Sequence, residues 1–243
     1  MKGIILAGGS GTRLRPLTNL MNKHLLPVGE SPMIDYSIQK LRDSGIEDVL
    51  IVIGMQSPGL YIKHIGSGLK NGIRITYKVQ EQSGGIAQAL SLAESFIAPR
   101  EKFVVLLGDN LFGESLIPYI KEFASQPSGA KVLLKKVDDP RRYGVPVLDD
   151  HRIAAIEEKP DNPKSSYCVT GIYMYDSEVF DVIRTIQPSG RGELEITDVN
   201  SYYAAKRMLT YNILQSWWID AGTHESLFEA AQLVRQSGAA LLE

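Results

Sequence analysis

Compact apolar runs alternate along the chain with longer stretches of helical spacing. IILA at 4–7, VLIVI at 49–53 and FVVLL at 103–107 are unbroken apolar runs of strand length, and further strand-type runs occupy 73–79, 131–137 and 167–175. Between them lie helix-type segments. In 33–44, Ile34, Ile38 and Leu41 fall on one face and Gly45 stands where a helix would end. IAQALSLAESFI at 86–97 reads as another helix, and so does HESLFEAAQLVRQ at 224–236, apolar at Leu227, Ala230, Ala231 and Val234.

Strands alternating with helices predict βαβ units. The expected fold is therefore α/β and Rossmann-like: a mainly parallel, mixed sheet flanked by helices. After about Asp138 the pattern becomes turn-rich, and DDPRRYGVPVLDDHRIAAIEEKP suggests a hairpin. We expect one domain over 1–243, with 1–137 and 201–243 forming its core and 138–200 a smaller β-rich insertion. Ligand sites in open α/β sheets lie beyond the carboxyl ends of the strands. The loops after Ala7, Val79 and Leu107 should then share one edge.

Composition narrows the options. The 26 basic and 28 acidic residues give a net charge of -2, without the basic excess of a nucleic-acid or membrane surface, so any bound anion must be met by local groups. No run approaches a membrane span, and IILA is too short for the core of a signal peptide. Cys168 is the single cysteine and excludes an internal disulfide; within SYCVTGIYMY it reads as a buried thiol. These features predict a cytoplasmic protein with neither a nucleic-acid nor a membrane partner.

The three loops read AGGSGTR, QEQSGG and GDN. Glycines after the first strand let backbone N–H groups approach a phosphate, whereas a simple tight turn would need fewer of them. A dinucleotide fingerprint fails because Leu14 stands where a third glycine is required, and there is no GxxxxGK[ST]. The prolines Pro16 and Pro27 also argue against the helix that caps a nicotinamide dinucleotide. Arg13 can fork onto phosphate oxygens and Lys23 can follow them as a point charge. Asp109 ends an apolar run, where the alternative is an ordinary Asp-Asn turn; Asp220, in WWIDAGT, offers a second carboxylate. Two carboxylates able to hold Mg²⁺ beside two cations and a phosphate loop describe phosphoryl or nucleotidyl transfer.

At these residues a resemblance becomes visible. GGSGTRLRPLTNLMNKHLLPVG resembles the signature of the sugar-nucleotide pyrophosphorylases. VQEQSGGIAQAL, LLGDNLF, DDPRRYGV, EEKP, PKSSYCVTGIYMYD, PSGRGELEITDVN and WWIDAGTHESL are similar in order and spacing to the family's thymidylyl-transferring members, over nearly the whole chain. The resemblance implies that dTTP and glucose 1-phosphate react to give dTDP-glucose and pyrophosphate, with Mg²⁺, as in the supply of activated glucose for deoxysugar or rhamnose synthesis. It implies catalytic roles for Arg13, Lys23, Asp109 and Asp220, the two aspartates being the metal ligands. It places Leu6, Gly8, Gly9, Gly11, Thr12, Gln80 and Gly85 at the nucleotide, with Gln80 reading the pyrimidine edge. Gly144, Glu158, Lys159, Val169, Thr170 and Glu193 would line the hexose phosphate site, making 138–200 the sugar lobe.

The chain departs from the family pattern at Arg15, where an aromatic residue is usual, at His24, where glutamine is frequent, and at Gly84, where an aspartate often stands. Longer members carry further C-terminal helices that build a regulatory product site. We expect that site to be absent or rebuilt here, and a homo-oligomer stays open. Alternatives are a UTP-dependent or other hexose-1-phosphate nucleotidyltransferase, or a non-catalytic sugar-nucleotide-binding regulatory subunit, although all four catalytic positions are filled.

Overall fold

In a computed structural model, residues 1–238 are described. The last five positions of the expected domain span lie outside them. The chain divides into two compact units, one formed by residues 1–83, 106–116 and 216 onward, the other by 84–105 and 117–215. Set beside the lobes expected from sequence, 84–105, 117–137 and 201–215 group with the turn-rich segment. The reason lies in strand pairing.

The first part of the chain contains β1 (Lys2–Ala7), β2 (Pro27–Val28), β3 (Ser31–Pro32), α1 (Met33–Asp43), β4 (Asp48–Gly54), α2 (Pro58–Ile65) and β5 (Arg74–Gln80). Strands β1 and β4 pair in parallel with Ile5 opposite Ile51, and β4 pairs in parallel with β5. Their unbroken apolar runs are buried, as covering on both faces demands. By contrast β5, an edge strand, alternates and carries Arg74 and Lys78, which discourage pairing with another chain. In α1, Ile34, Ile38 and Leu41 are buried, and Gly45 at φ 75 closes the helix with its N–H on the Arg42 carbonyl at 2.9 Å.

There follow α3 (Ile86–Ser91), β6 (Lys102–Leu107), β7 (Asn110–Phe112), α4 (Ile117–Ser125), β8 (Ala130–Lys136), β9 (Gly144–Asp149), β10 (Arg152–Glu158) and β11 (Tyr167–Asp176). The chain continues through α5 (Val179–Thr185), α6 (Ile196–Ala205), β12 (Leu209–Ile213), β13 (Trp218–Asp220) and α7 (His224–Gln236). Seven strands make one mixed sheet in the order β12-β8-β11-β6-β1-β4-β5, the α/β arrangement expected from the alternation.

In the second unit β8 pairs antiparallel with β11 and parallel with β12, which is why 117–137 groups with the residues C-terminal to it. Strands β9 and β10 form the expected hairpin. The helical stretch predicted over 86–97 is shorter than its periodicity suggests. Ser91 Oγ donates to the Gln88 carbonyl at 2.7 Å, Leu92 N–H bonds the Ala89 carbonyl in the tighter 3₁₀ pattern, and only a 3₁₀ turn follows at Glu94–Phe96.

Candidate active site

The glycine loop follows the buried end of β1, and its conformation requires glycine at two points. Gly11 has φ 61, and a Cβ there would lie 2.9 Å from Lys23 Cβ and 3.0 Å from Thr18 Cγ2. A Cβ on Gly8 would fall 2.1 Å from Gln80 Oε1, so the amide of Gln80, at the end of β5, lies across Gly8. Leu6 contributes its carbonyl, which accepts from Gly108 N at 3.0 Å and ties the Gly-Asp-Asn turn to β1. Thr12 and Arg13 open a 3₁₀ turn, and the Arg13 side chain is exposed. The loops after β1, β5 and β6 thus share an edge within the first unit, as expected.

Lys23 sits at the start of the 3₁₀ turn Lys23–Leu25. Its tip passes Gly9, whose Cβ would be 3.4 Å from Lys23 Cε, and its ammonium donates to Asp109 Oδ2. Both side chains of this ion pair are 12% exposed, so little water screens it. Burial alone would raise the Asp109 carboxyl. The charge of Lys23, with hydrogen bonds from Lys23 and Asn110, outweighs that and holds it well below the usual carboxylate range. Burial pushes His24 the other way, down to about 3, helped by the charge of Lys23. His24 is thus a neutral ring, and the positive charge beside Asp109 belongs to Lys23.

Asp220 ends β13, which pairs antiparallel with β7 so that Asp220 faces Asn110 across the ribbon. Ala221 N donates to the Asp109 carbonyl at 2.9 Å, which fixes the two aspartate-bearing ends side by side. A Cβ on Gly222 would lie 2.8 Å from Asp220 Oδ1 and 3.2 Å from Arg13 Nη2. Arg13 and Asp220 are therefore neighbours. Beneath them Val28, Met33, Tyr36, Leu111, Ile219, Ala221, Ala230 and Val234 form an apolar cluster that makes a rigid base.

Among the described residues no group of three or more His, Cys, Asp and Glu side chains could hold a metal. Two carboxylates on adjoining strand ends nevertheless fit a hard divalent cation that keeps waters and takes its other ligands from a substrate's phosphates. Such an ion would compete with Lys23 for Asp109 Oδ2. The pair of aspartates, Arg13, Lys23 and the glycine loop form one cluster within the first unit.

The residues expected at the hexose phosphate all belong to the second unit. Gly144 and Glu158 are partners in the β9–β10 hairpin. Glu158 Oε2 accepts from Thr197 Oγ1 at 2.5 Å, and Oε1 pairs with Lys159 Nζ at 2.9 Å and with Arg191 Nη2 at 3.4 Å. Arg191 also bonds Glu195 at 2.8 Å and lies 3.6 Å from Glu193. Gly85, at φ 97, packs so closely on this segment that a Cβ would sit 2.5 Å from the Leu194 carbonyl. Thr170 differs from a residue whose hydroxyl lines a pocket: it is fully buried and donates to the Leu133 carbonyl at 2.8 Å. With Val169, which is also buried, it adjoins an irregularity in the β11–β8 register.

Sequence reasoning missed Arg191 and Thr197, the partners of Glu158, and Thr18 and Asn22, which hold the glycine loop. Arg191 and Glu195 pair in the non-helical stretch before α6, where their spacing of four carries no helical signal. Thr18 and Asn22 lie in irregular backbone, where no periodicity marks a buried polar side chain.

Comparison with known proteins gives concordant results. A family model described as nucleotidyl transferase matches residues 2–237. A glucose-1-phosphate thymidylyltransferase of Neisseria meningitidis is 44% identical over 97% of this chain and 83% of its own length; one of Xanthomonas campestris is 43% identical over 96% and 80%. The crystal structure of a Bacillus anthracis protein provisionally named glucose-1-phosphate thymidylyltransferase, in complex with sucrose, superposes with a TM-score of 0.93 at 53% identity, covering 97% of this chain and 95% of that one. A UDP-glucose pyrophosphorylase complexed with UDP-glucose, at 24% identity and TM-score 0.84 over 97% of this chain and 98% of its own, shares the fold.

Proposed function

The chain belongs to the nucleotidyl transferase family, and from that premise we propose that it is a glucose-1-phosphate thymidylyltransferase, joining dTTP and α-D-glucose 1-phosphate into dTDP-glucose with release of pyrophosphate. The observation that carries the reaction class is the cluster in which Arg13 adjoins Asp220 and Lys23 pairs with Asp109 under a glycine loop. The relatives supply the base and the sugar. In this reading an oxygen of the sugar phosphate bonds to the α-phosphorus as the bond from that phosphorus to the β-phosphate's bridging oxygen breaks, and pyrophosphate leaves with the electron pair. No protein nucleophile is required.

Each group then has a defined task. The amides of Gly8 to Thr12 meet triphosphate oxygens, Arg13 forks onto the departing pyrophosphate, and Lys23 holds charge at the α-phosphate. Asp109 and Asp220 would hold Mg²⁺, which when bound would neutralise phosphate charge. Gln80, lying across Gly8, reads the pyrimidine edge, and the Gly85 backbone adjoins the base. Glu158 accepts from sugar hydroxyls, its orientation fixed by Thr197 and Arg191, while Lys159 meets the sugar phosphate. Gly144, Glu193, Val169 and Thr170 complete the hexose side. Aligning two bound anions so that they can react contributes about 7 to 11 kcal/mol in favourable cases.

The test is pyrophosphate release with Mg²⁺, glucose 1-phosphate and, separately, dTTP, UTP, CTP, ATP and GTP. The thymine methyl is worth about 1 to 3 kcal/mol in an apolar pocket, so dTTP should lead UTP by roughly tenfold to two-hundredfold. Release with none of the five would leave a non-catalytic binding protein as the better description.

A further inference from the structure

Two buried side chains hold the glycine loop by its carbonyls. Asn22, 0% exposed, donates from Nδ2 to the Gly9 carbonyl at 3.0 Å, and Thr18, 3% exposed, donates from Oγ1 to the Gly11 carbonyl at 2.8 Å. A trans peptide is planar, with its N–H opposite its C=O, and Arg15–Pro16 is the sole cis bond among the described residues. Anchoring the carbonyls of Gly9 and Gly11 therefore turns the N–H groups of Ser10 and Thr12 away from the anchors, both by the same device. Successive amides aimed outward from a loop make an anion cradle.

Asn22 also ties that cradle to Lys23. Its Oδ1 accepts from His24 N at 3.1 Å, capping the turn that begins with Lys23, and from Tyr61 Oη and His24 Nδ1 at 2.7 Å each. The backbone bond makes Oδ1 the acceptor and leaves Nδ2 for Gly9, so the amide can face only one way. The opposing shape of Gly11, with no room for a Cβ between Thr18 and Lys23, keeps all three in register.

We infer that Thr18 and Asn22 are positioning residues for the triphosphate: they aim the amides of Ser10 and Thr12 and set the loop's distance from Lys23. The inference rests on the triphosphate reading of this site. Neither side chain touches a reacting atom; each acts through a backbone carbonyl.

Thr18→Val is nearly isosteric and removes only the hydroxyl, Thr18→Ser restores it, and Asn22→Asp keeps Oδ1 while turning an oxygen toward the Gly9 carbonyl. Calorimetric titration with dTTP and Mg²⁺, and separately with glucose 1-phosphate, reads the two substrates apart. Thr18→Val and Asn22→Asp should weaken dTTP about tenfold and leave glucose 1-phosphate within twofold, with Thr18→Ser recovering most of the loss. Should Asn22→Asp not fold, Thr18→Val and its rescue decide alone. Unchanged dTTP affinity, or equal weakening of both substrates, overturns the positioning role while the nucleotide site stands. Failure of the unmodified protein to bind any nucleoside triphosphate overturns the site itself.

Discussion

Arg13 and Lys23 look alike in sequence, each a cation near glycines, yet their surroundings assign them separate tests. Arg13 is exposed beside Asp220, so Arg13→Ala should leave the melting temperature within a few degrees while turnover falls by about 100-fold or more, measured as pyrophosphate release. Lys23 is buried against Asp109, and removing it strands a carboxylate in a nearly dry site. Lys23→Ala should cost about 3 to 5 kcal/mol in urea unfolding as well as activity. A Lys23→Ala protein as stable as the parent would contradict the buried pair. Arg13, Lys23, Asp109 and Asp220 could be picked out from sequence because each follows a glycine loop, precedes an apolar turn or ends an apolar run. Thr18 and Asn22 could not, since what marks them is burial and a bond to a carbonyl, properties of the folded backbone alone.

At the level of elements, α7 follows directly from the strand end that carries Asp220. Thr223 caps it through a capping box, its Oγ1 accepting from Ser226 N at 3.2 Å while Thr223 N donates to Ser226 Oγ at 3.0 Å. Thr223→Ala should lower stability by about 1 kcal/mol, seen as a shifted denaturation midpoint. The helix was legible because its apolar positions, Leu227, Ala230, Ala231 and Val234, keep helical spacing through its middle, and β1, β4 and β6 because their runs are long and buried. Helix α2 was not: PGLYIKHI opens with two residues of poor helix propensity and spans barely two turns. Strand β12, LTYNI, is a five-residue edge strand whose register is set by β8. The shortened α3 shows the same limit, since the chain turns to 3₁₀ geometry at Leu92 although the apolar spacing continues.

On the scale of the whole molecule, two buried titratable groups give acid sensitivity of one sign. His24 is held down to about 3, below its unfolded value of about 6.5, so the unfolded chain takes up the proton first as pH falls. Its contribution is complete above about 6.5 and is lost between there and 3. Asp109, depressed in the fold, adds stability that is present above the ordinary aspartate range and is lost at lower pH. Melting temperature should therefore be level above about pH 7 and fall below about 6.5, with His24→Gln flattening the first part of the decline; identical profiles for the two proteins would refute the buried neutral imidazole. Sequence patterning foresaw the α/β class but placed the lobe boundary by turn density. The partnership of β8 with β11 and β12, a matter of long-range pairing, draws it elsewhere. The most direct test of thymidylyl transfer is a ³¹P NMR time course of the protein with dTTP, glucose 1-phosphate and Mg²⁺. dTDP-glucose and pyrophosphate should appear in equal amounts; dTTP that stays intact, or breaks down without a sugar nucleotide forming, would contradict the proposed reaction.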